Sequence, residues 1–265
     1  MLDYIKTDQL LHFLSQFIAK MNRQFLSEKE DDSHTNLYFD PLQGAIISHW
    51  LETDLGTIVF RLNLLDWSFD FVDSNFTLLD RIDLQTTKLS ELEQFIIYGL
   101  EKLRLNAKGY SRKMHYQIPN YNHNDDCLKT VHPFHLEEWM TYRSLANNAC
   151  YEVLGSLQRT REVRIWPHHF DTNIYFMLKN NVNLSFGLAM QDKHYPDPYF
   201  YASAFNSAGE SIKVNPSQSS LLTGKWISSG DFNAAIFSLK ELNNSHEDLL
   251  KSYIRSFLKI YLSLL

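Results

Sequence analysis

Near the start of the chain, apolar residues return every three or four positions, at Leu10, Leu14, Phe17, Ile18, Met21 and Phe25. That is the spacing of one face of an amphipathic α-helix, with Thr7 and Asp8 placed to cap its start. The charged stretch SEKEDDS, Ser27 to Ser33, ends it. From His34 to Asp83 the pattern shortens to runs of β-branched and aromatic residues: NLYF, GAIISHWL, GTIVFRLNLL, WSFDFV and FTLLDRIDL. Turn-forming residues separate them at Asp40 with Pro41, at Thr53 to Gly56 and at Asp73 to Asn75. Short strands so punctuated predict an antiparallel meander. Ser90 with Glu93 then has the form of a capping box ahead of a helix carrying Leu92, Phe95, Ile96, Leu100 and Leu103.

The second half repeats this order. Between Lys108 and Thr130 a short strand at Met114 to Ile118 precedes a polar tract rich in Asn, Asp and His, read as a linker. A long helix follows, with Trp139, Tyr142, Leu145, Ala146, Ala149, Cys150, Val153, Leu154 and Leu157 on one face. Then come the strand-forming stretches VRIWPHHFDTNIYFML, NLSFGLAM and YPDPYFYASAF, and a Gly- and Ser-rich passage up to Gly230. Asp231 is placed to cap a short helix, FNAAIFSLKEL. The last helix is predicted from Ser245, with Leu250, Tyr253, Ile254, Phe257, Tyr261 and Leu264 on its apolar side and Lys251, Arg255 and Lys259 opposite. The fold class expected is therefore α+β: two similar lobes, residues 1–118 and 132–265, joined by a polar linker at 119–131. Each has a mainly antiparallel sheet and flanking amphipathic helices. The recurrence, with HTNLYFDPL echoed by HHFDTNIYF, reads as an internal duplication.

Composition narrows the classes. With 44% hydrophobic and 14% aromatic residues the chain has ample apolar surface to offset its conformational entropy, so extended disorder is not expected. A formal charge of −6 offers no general attraction for nucleic acid, whose binding relies on Lys and Arg neutralising phosphate. No apolar run reaches the roughly 18 residues that span a bilayer. The first residues, MLDYIKTDQLLHFL, lack the pattern of a secretory signal, and Cys127 and Cys150 are the only cysteines, which suits a reducing compartment. The expected location is cytoplasmic.

Chemistry concentrates at Trp166 to Asp171, WPHHFD. Pro167 cannot donate to a sheet ladder, so the strand should break or bulge just before the histidines. Were the backbone extended, His169 and Asp171 would face one way and Trp166, His168 and Phe170 the other. Two functional readings follow. A small-molecule site would be lined by Trp166, His168, His169, Asp171, Tyr199 and Tyr201, an aromatic concavity with a few polar groups. A divalent metal such as zinc would draw on His132, His135, His169 and Asp171, since neutral imidazoles and a carboxylate suit it and an open position would allow hydrolysis by a bound water. HPFH is not HExxH, however, and Pro133 places His132 outside the helix. A third reading is a protein-interaction module with no ligand site. His123, Asp125, Asp126 and Cys127 lie in an Asn-rich loop without an element to preorganise them as a metal site. Cys150 falls on an apolar face, where a thiol behaves as a small hydrophobe. P-loop, Rossmann and nucleophile-elbow patterns are missing.

The segments LLHFLSQFIAK, FDFVDSNFTL, WPHHFDTNIYF and YPDPYFYASAF, in that order through most of the chain, resemble an uncharacterised bacterial family of unknown function. That family has a paired-tryptophan, histidine-flanked segment before its first strands, where this chain has SHTNLYFDPL. The resemblance implies no activity.

Overall fold

Helix α1 (Leu2–Phe25) opens the chain and is buried on more than its apolar face: Thr7, Asp8, His12, Ser15 and Asn22 are as enclosed as Leu10, Leu14, Phe17 and Ile18. This computed structural model describes residues 1–215, 219–242 and 246–263. Because α1 starts at Leu2, Thr7 and Asp8 lie inside it and do not cap it. Thr7 Oγ1 donates to the Asp3 carbonyl and Asp8 Oδ1 accepts from Trp139 Nε1 at 2.8 Å. Buried polar groups need partners, and α1 finds them in distant segments: Asn22 Nδ2 donates to the Asn36 carbonyl and its Oδ1 accepts from His49 N.

The predicted meander is present as β1 (Tyr38–Asp40), β2 (Ala45–Ile47), β3 (Leu51–Thr53), β4 (Gly56–Asn63), β5 (Ser68–Asp73) and β6 (Leu78–Asp83). They form one antiparallel sheet in the order β1-β2-β4-β5-β6, with β3 also on β4. Alternation along β4 and β5 separates its faces. Phe60, Leu62, Phe69 and Phe71 share one, where Phe69 meets Phe17 of α1 at 6.1 Å. The other carries Arg61, Asn63, Ser68 and Asp70, joined by Arg81 of β6. Asp73 closes the β5–β6 turn by accepting from the amides of Asn75 and Thr77.

Helix α2 (Leu92–Lys102) begins without the expected capping box. Ser90 sits in a preceding 3₁₀ turn and bonds to Asp125, and Glu93 holds Lys20 at 2.6 Å. No strand forms at Met114 to Ile118, where the backbone is irregular. The segment just before it is pinned to α1 by Arg23, whose guanidinium donates to the carbonyls of Tyr110, Arg112 and Lys113 at 2.8–3.0 Å. The polar tract after it is pinned as well. Asn120 and Asn124 accept from the amides two residues on, and Trp67 Nε1 donates to the Leu128 carbonyl at 2.7 Å.

Helix α3 (Pro133–Ser156) is followed by β7 (Arg164–Trp166), β8 (Asp171–Lys179), β9 (Val182–Ala189), β10 (Tyr199–Phe205), β11 (Lys225–Ser229), β12 (Phe232–Ser238) and α4 (His246–Ser263). The second sheet is antiparallel, in the order β11-β12-β10-β9-β8-β7. Asn180 and Asn181, both at positive φ, make the two-residue β8–β9 turn. FNAAIFSLKEL is not the helix its short apolar run predicts. Gly230, at φ +62, and Asp231 turn β11 into β12, and only Leu239–Glu241 coils, as a 3₁₀ turn capped by Ser238. One face of the sheet is covered by helices: Phe186 stacks on Phe257 of α4 at 5.2 Å, and Tyr253 and Tyr261 donate to the carbonyls of Ala235 and Ala202. Cys150 of α3 is fully buried there, and burial raises its thiol pKa, as the apolar stripe implied. Ser245 and Leu264 lie outside the described residues.

Two compact units result, Leu2–Tyr142 with Ile165–Phe170, and Arg143–Arg164 with Asp171–Leu265. The 119–131 tract belongs to the first. The fold is α+β, with four α-helices among the described residues, two antiparallel sheets and two similar lobes. Successive strands β1-β2-β4-β5-β6 and β7-β8-β9-β10 form up-and-down meanders, and this shared order suggests the duplication. No helix among the described residues is long and apolar enough to cross a membrane.

Candidate functional site

The break at Pro167 is a tight turn, not a continued strand. β7 stops at Trp166, the amides of His169 and Phe170 donate to the Trp166 carbonyl, and Phe170 takes φ +56. The alternation that an extended Trp166 to Asp171 would give does not arise, because residues 167–170 curl before β8 starts, a break at the place Pro167 marks. A left-handed phenylalanine costs about 1–2 kcal/mol. Full burial of its ring, worth about 1.5–3 kcal/mol, offsets that. The ring stacks on His12 (5.2 Å, 10°) and on Trp139 (5.9 Å, 23°). The Pro167 carbonyl accepts from His12 Nε2 at 2.9 Å and Gln16 Nε2 at 2.7 Å. One helix thus grips the turn by its backbone, and a buried aromatic stack grips it by its side chain.

Held this way, the turn presents two adjacent imidazoles, with ring centroids 4.3 Å apart. Trp166 lies edge-on to His168 at 5.9 Å and Tyr116 lies at 5.5 Å. The Tyr116 hydroxyl donates to Gln16 Oε1, the amide whose nitrogen holds Pro167, so both sides of the cluster hang from one α1 residue. His115 Nε2 is 3.1 Å from Asp32 Oδ2, a contact between an exposed imidazole and a half-buried carboxylate. His34 Nδ1 is 3.7 Å from Asp32 but accepts from the Lys29 amide, so in that arrangement this nitrogen carries no proton and makes no ion pair.

His168 is half-buried and its Nδ1 is enclosed with no hydrogen-bond partner among the described residues. Burial lowers its pKa to about 4, with His169 and His115 adding to the shift and Asp32 opposing it, so the ring is neutral at pH 7. Because the folded value lies below the unfolded one of about 6.5, the unfolded chain takes up the proton first as pH falls. The contribution of His168 to stability is complete above pH ~6.5 and is lost towards pH ~4. Partial exposure screens it, leaving an expected loss of about 1–2 kcal/mol. Urea midpoints at pH 7 and 4.5 should therefore differ less in His168→Asn than in the wild type. An equal difference in both proteins would contradict the assignment.

The other residues expected at the site are distributed as follows. Trp166, His168 and His169 lie in the first unit; Asp171, Tyr199 and Tyr201 lie in the second. There the Tyr201 hydroxyl donates to Asp171 Oδ2 at 2.5 Å, and Asn173 Nδ2 donates to both Asp171 Oδ2 (2.9 Å) and Tyr201 Oη (2.8 Å). Ser185 Oγ lies 3.3 Å from the same phenol. Burial raises the Tyr201 pKa well above its ordinary value, as does Asp171, so the hydroxyl keeps its proton. Tyr199 joins a different partner, donating to Asp192 Oδ2 at 2.9 Å. His132 precedes α3, as Pro133 implied, and its Nδ1 accepts from Phe134 N; the His135 ring is 5.8 Å from it. Among the described residues no three His, Cys, Asp or Glu side chains are grouped to hold a metal ion. Burial pushes the Cys127 thiol up to about 11.

Sequence reasoning missed His12, Gln16, His115, Tyr116 and Asp32. One signal was there: Asp8, His12 and Gln16 recur at helical spacing beside an apolar stripe, the signature of a helix with a buried polar face. No protein-family model, no curated protein and no solved structure matches this chain, in keeping with the resemblance to a family of unknown function.

Proposed function

We propose that the protein binds a small polar molecule at the His168–His169 turn, with Trp166 and Tyr116 as aromatic walls. One observation carries this reading: backbone strain at Phe170 is maintained by α1 and Trp139 around a turn whose own imidazoles are left to face outward or lack a partner. Strain retained beside chemically capable side chains is characteristic of binding and catalytic sites. A neutral His168 offers one donor and one acceptor, and flat aromatic neighbours favour a ligand with a planar or apolar face. Binding asks only for these groups, whereas the hydrolytic reading requires a metal for His132, His135, His169 and Asp171.

Imidazole resonances of His168 and His169, followed by NMR while small hydroxyl- and carboxylate-bearing compounds are added, test the proposal. Compounds that bind should shift both imidazoles, and His168→Ala should weaken them at least about tenfold, or ~1.4 kcal/mol. Binding that leaves both imidazoles unmoved and survives His168→Ala would reject it. We further read the lobes at 1–118 and 132–265 as products of duplication and the protein as cytoplasmic. The recurring element order supports the first and the two unpaired thiols the second.

A further inference from the structure

The polar tract that the sequence marks as a linker carries a second constellation, separate from the imidazole pair. Tyr121 Oη lies 2.6 Å from His12 Nδ1. The opposite nitrogen, Nε2, is 2.9 Å from the Pro167 carbonyl, which can only accept, so Nε2 carries the proton and Nδ1 of the neutral ring is a lone pair. The phenol must then donate to His12. A hydroxyl donating to an imidazole whose far nitrogen is anchored to a fixed acceptor is the arrangement by which a general base activates a nucleophile. His12 is buried and stacked on Phe170, so its ring cannot swing away. Tyr121 itself is half-buried and reachable. His123 (5.6 Å) flanks the phenol, and Phe13 packs edge-on to His123 at 5.7 Å. Asp8 lies one turn before His12 on the same face of α1, and its Oδ1 accepts from Trp139 Nε1. The loop is ordered by the Asn120 Asx turn.

We propose that Tyr121 is a nucleophile that accepts an acyl group from an activated ester, with His12 as its general base. In this step the phenolic oxygen bonds to the acyl carbon, the ester C–O bond breaks and the alcohol or phenol leaves with its electron pair. The Tyr121 proton passes to His12 Nδ1. His12 passes that proton to the departing oxygen. Water then attacks the aryl ester, His12 taking its proton and delivering it to the phenolic oxygen as the acyl C–O bond breaks, so the carboxylic acid is released and the phenol regenerated. Burial and Asp8 raise the Tyr121 pKa, so the free phenolate is scarce. Proton removal within the transition state is therefore the route open to it, as for any high-pKa hydroxyl beside a base.

p-Nitrophenyl acetate is the probe, with acetyl-tyrosine mapped by peptide mass spectrometry in the intact wild-type protein. Tyr98 and Tyr151 are 62% and 58% exposed and serve as internal references for reactivity governed by access alone. Acetylation of Tyr121 at least about tenfold faster than either supports the assignment. A rate at or below theirs overturns it. Tyr121→Phe should abolish the fast phase of p-nitrophenolate release, and a fast phase that persists in this variant also overturns it. His12→Gln, if circular dichroism shows it folded, should bring Tyr121 down to the reference rate, and an unchanged rate counts against the base. If His12→Gln does not fold, the wild-type ratio and Tyr121→Phe decide. Failure here leaves the His168–His169 reading intact, because neither readout involves those imidazoles.

Discussion

Asp70→Ala is expected to cost about 3–5 kcal/mol, the penalty for removing one partner of a buried ion pair. The Asp70 side chain is fully enclosed, and strand register sets it opposite Arg61 on one side and Arg81 on the other. Its oxygens accept from both guanidiniums and from Ser68 and Asn63 at 2.8–3.3 Å. Burial alone would raise its pKa, but the hydrogen bonds from Arg81, Ser68 and Asn63 and the charge of Arg81 outweigh this and hold it below the usual value. Without Asp70, Arg61 and Arg81 face each other with Asp66 as the remaining carboxylate, which reaches Arg81. Urea unfolding should show the midpoint falling with m little changed. A loss under about 1 kcal/mol would mean the network is solvated enough to be dispensable. Since the folded pKa is depressed, the stability from Asp70 is present above the unfolded value of about 3.9 and is lost as pH falls below it.

Gly187→Ala should cost the second unit at least about 3 kcal/mol, the upper range for overpacking. Gly187 sits mid-strand in β9, opposite Asn173 of β8 and Tyr201 of β10. A Cβ there would lie 2.2 Å from the Thr172 carbonyl oxygen and 2.5 Å from Asn173 Cβ. Both belong to a strand that cannot yield without giving up its ladder. The glycine also lets the Tyr201 phenol reach across β9 to Asn173 and Asp171. Hydrogen exchange should locate the damage to β8 and β9, and full protection of those strands in the variant would show that the sheet adjusts at little cost.

The local patterns that were legible share a physical origin. Helical spacing in α1, α3 and α4 and the turn residues around β1 to β6 act over a few positions, so periodicity and backbone preference report them directly. The misreadings occur where local signals tie. FNAAIFS is apolar on both faces of a buried strand, and in that case period cannot tell strand from helix; the Gly230–Asp231 turn decides. Ser90 and Glu93 have the spacing of a capping box, but Asp125 and Lys20 compete for them from far along the chain.

For the candidate sites the division is sharper. The chain by itself determined that imidazoles, a carboxylate and a tryptophan would crowd at 166–171, that Pro167 would interrupt the strand there, and that the fold would be α+β with antiparallel sheets. Tertiary structure alone decided that the interruption is a strained turn, that Asp171 turns to Tyr201 and Asn173, and that His12, Gln16 and Tyr121 take part. Hydrogen bonds between residues about 110 to 155 positions apart made those choices. A buried donor or acceptor must find a partner wherever the fold supplies one, and spacing along the chain does not record where that will be.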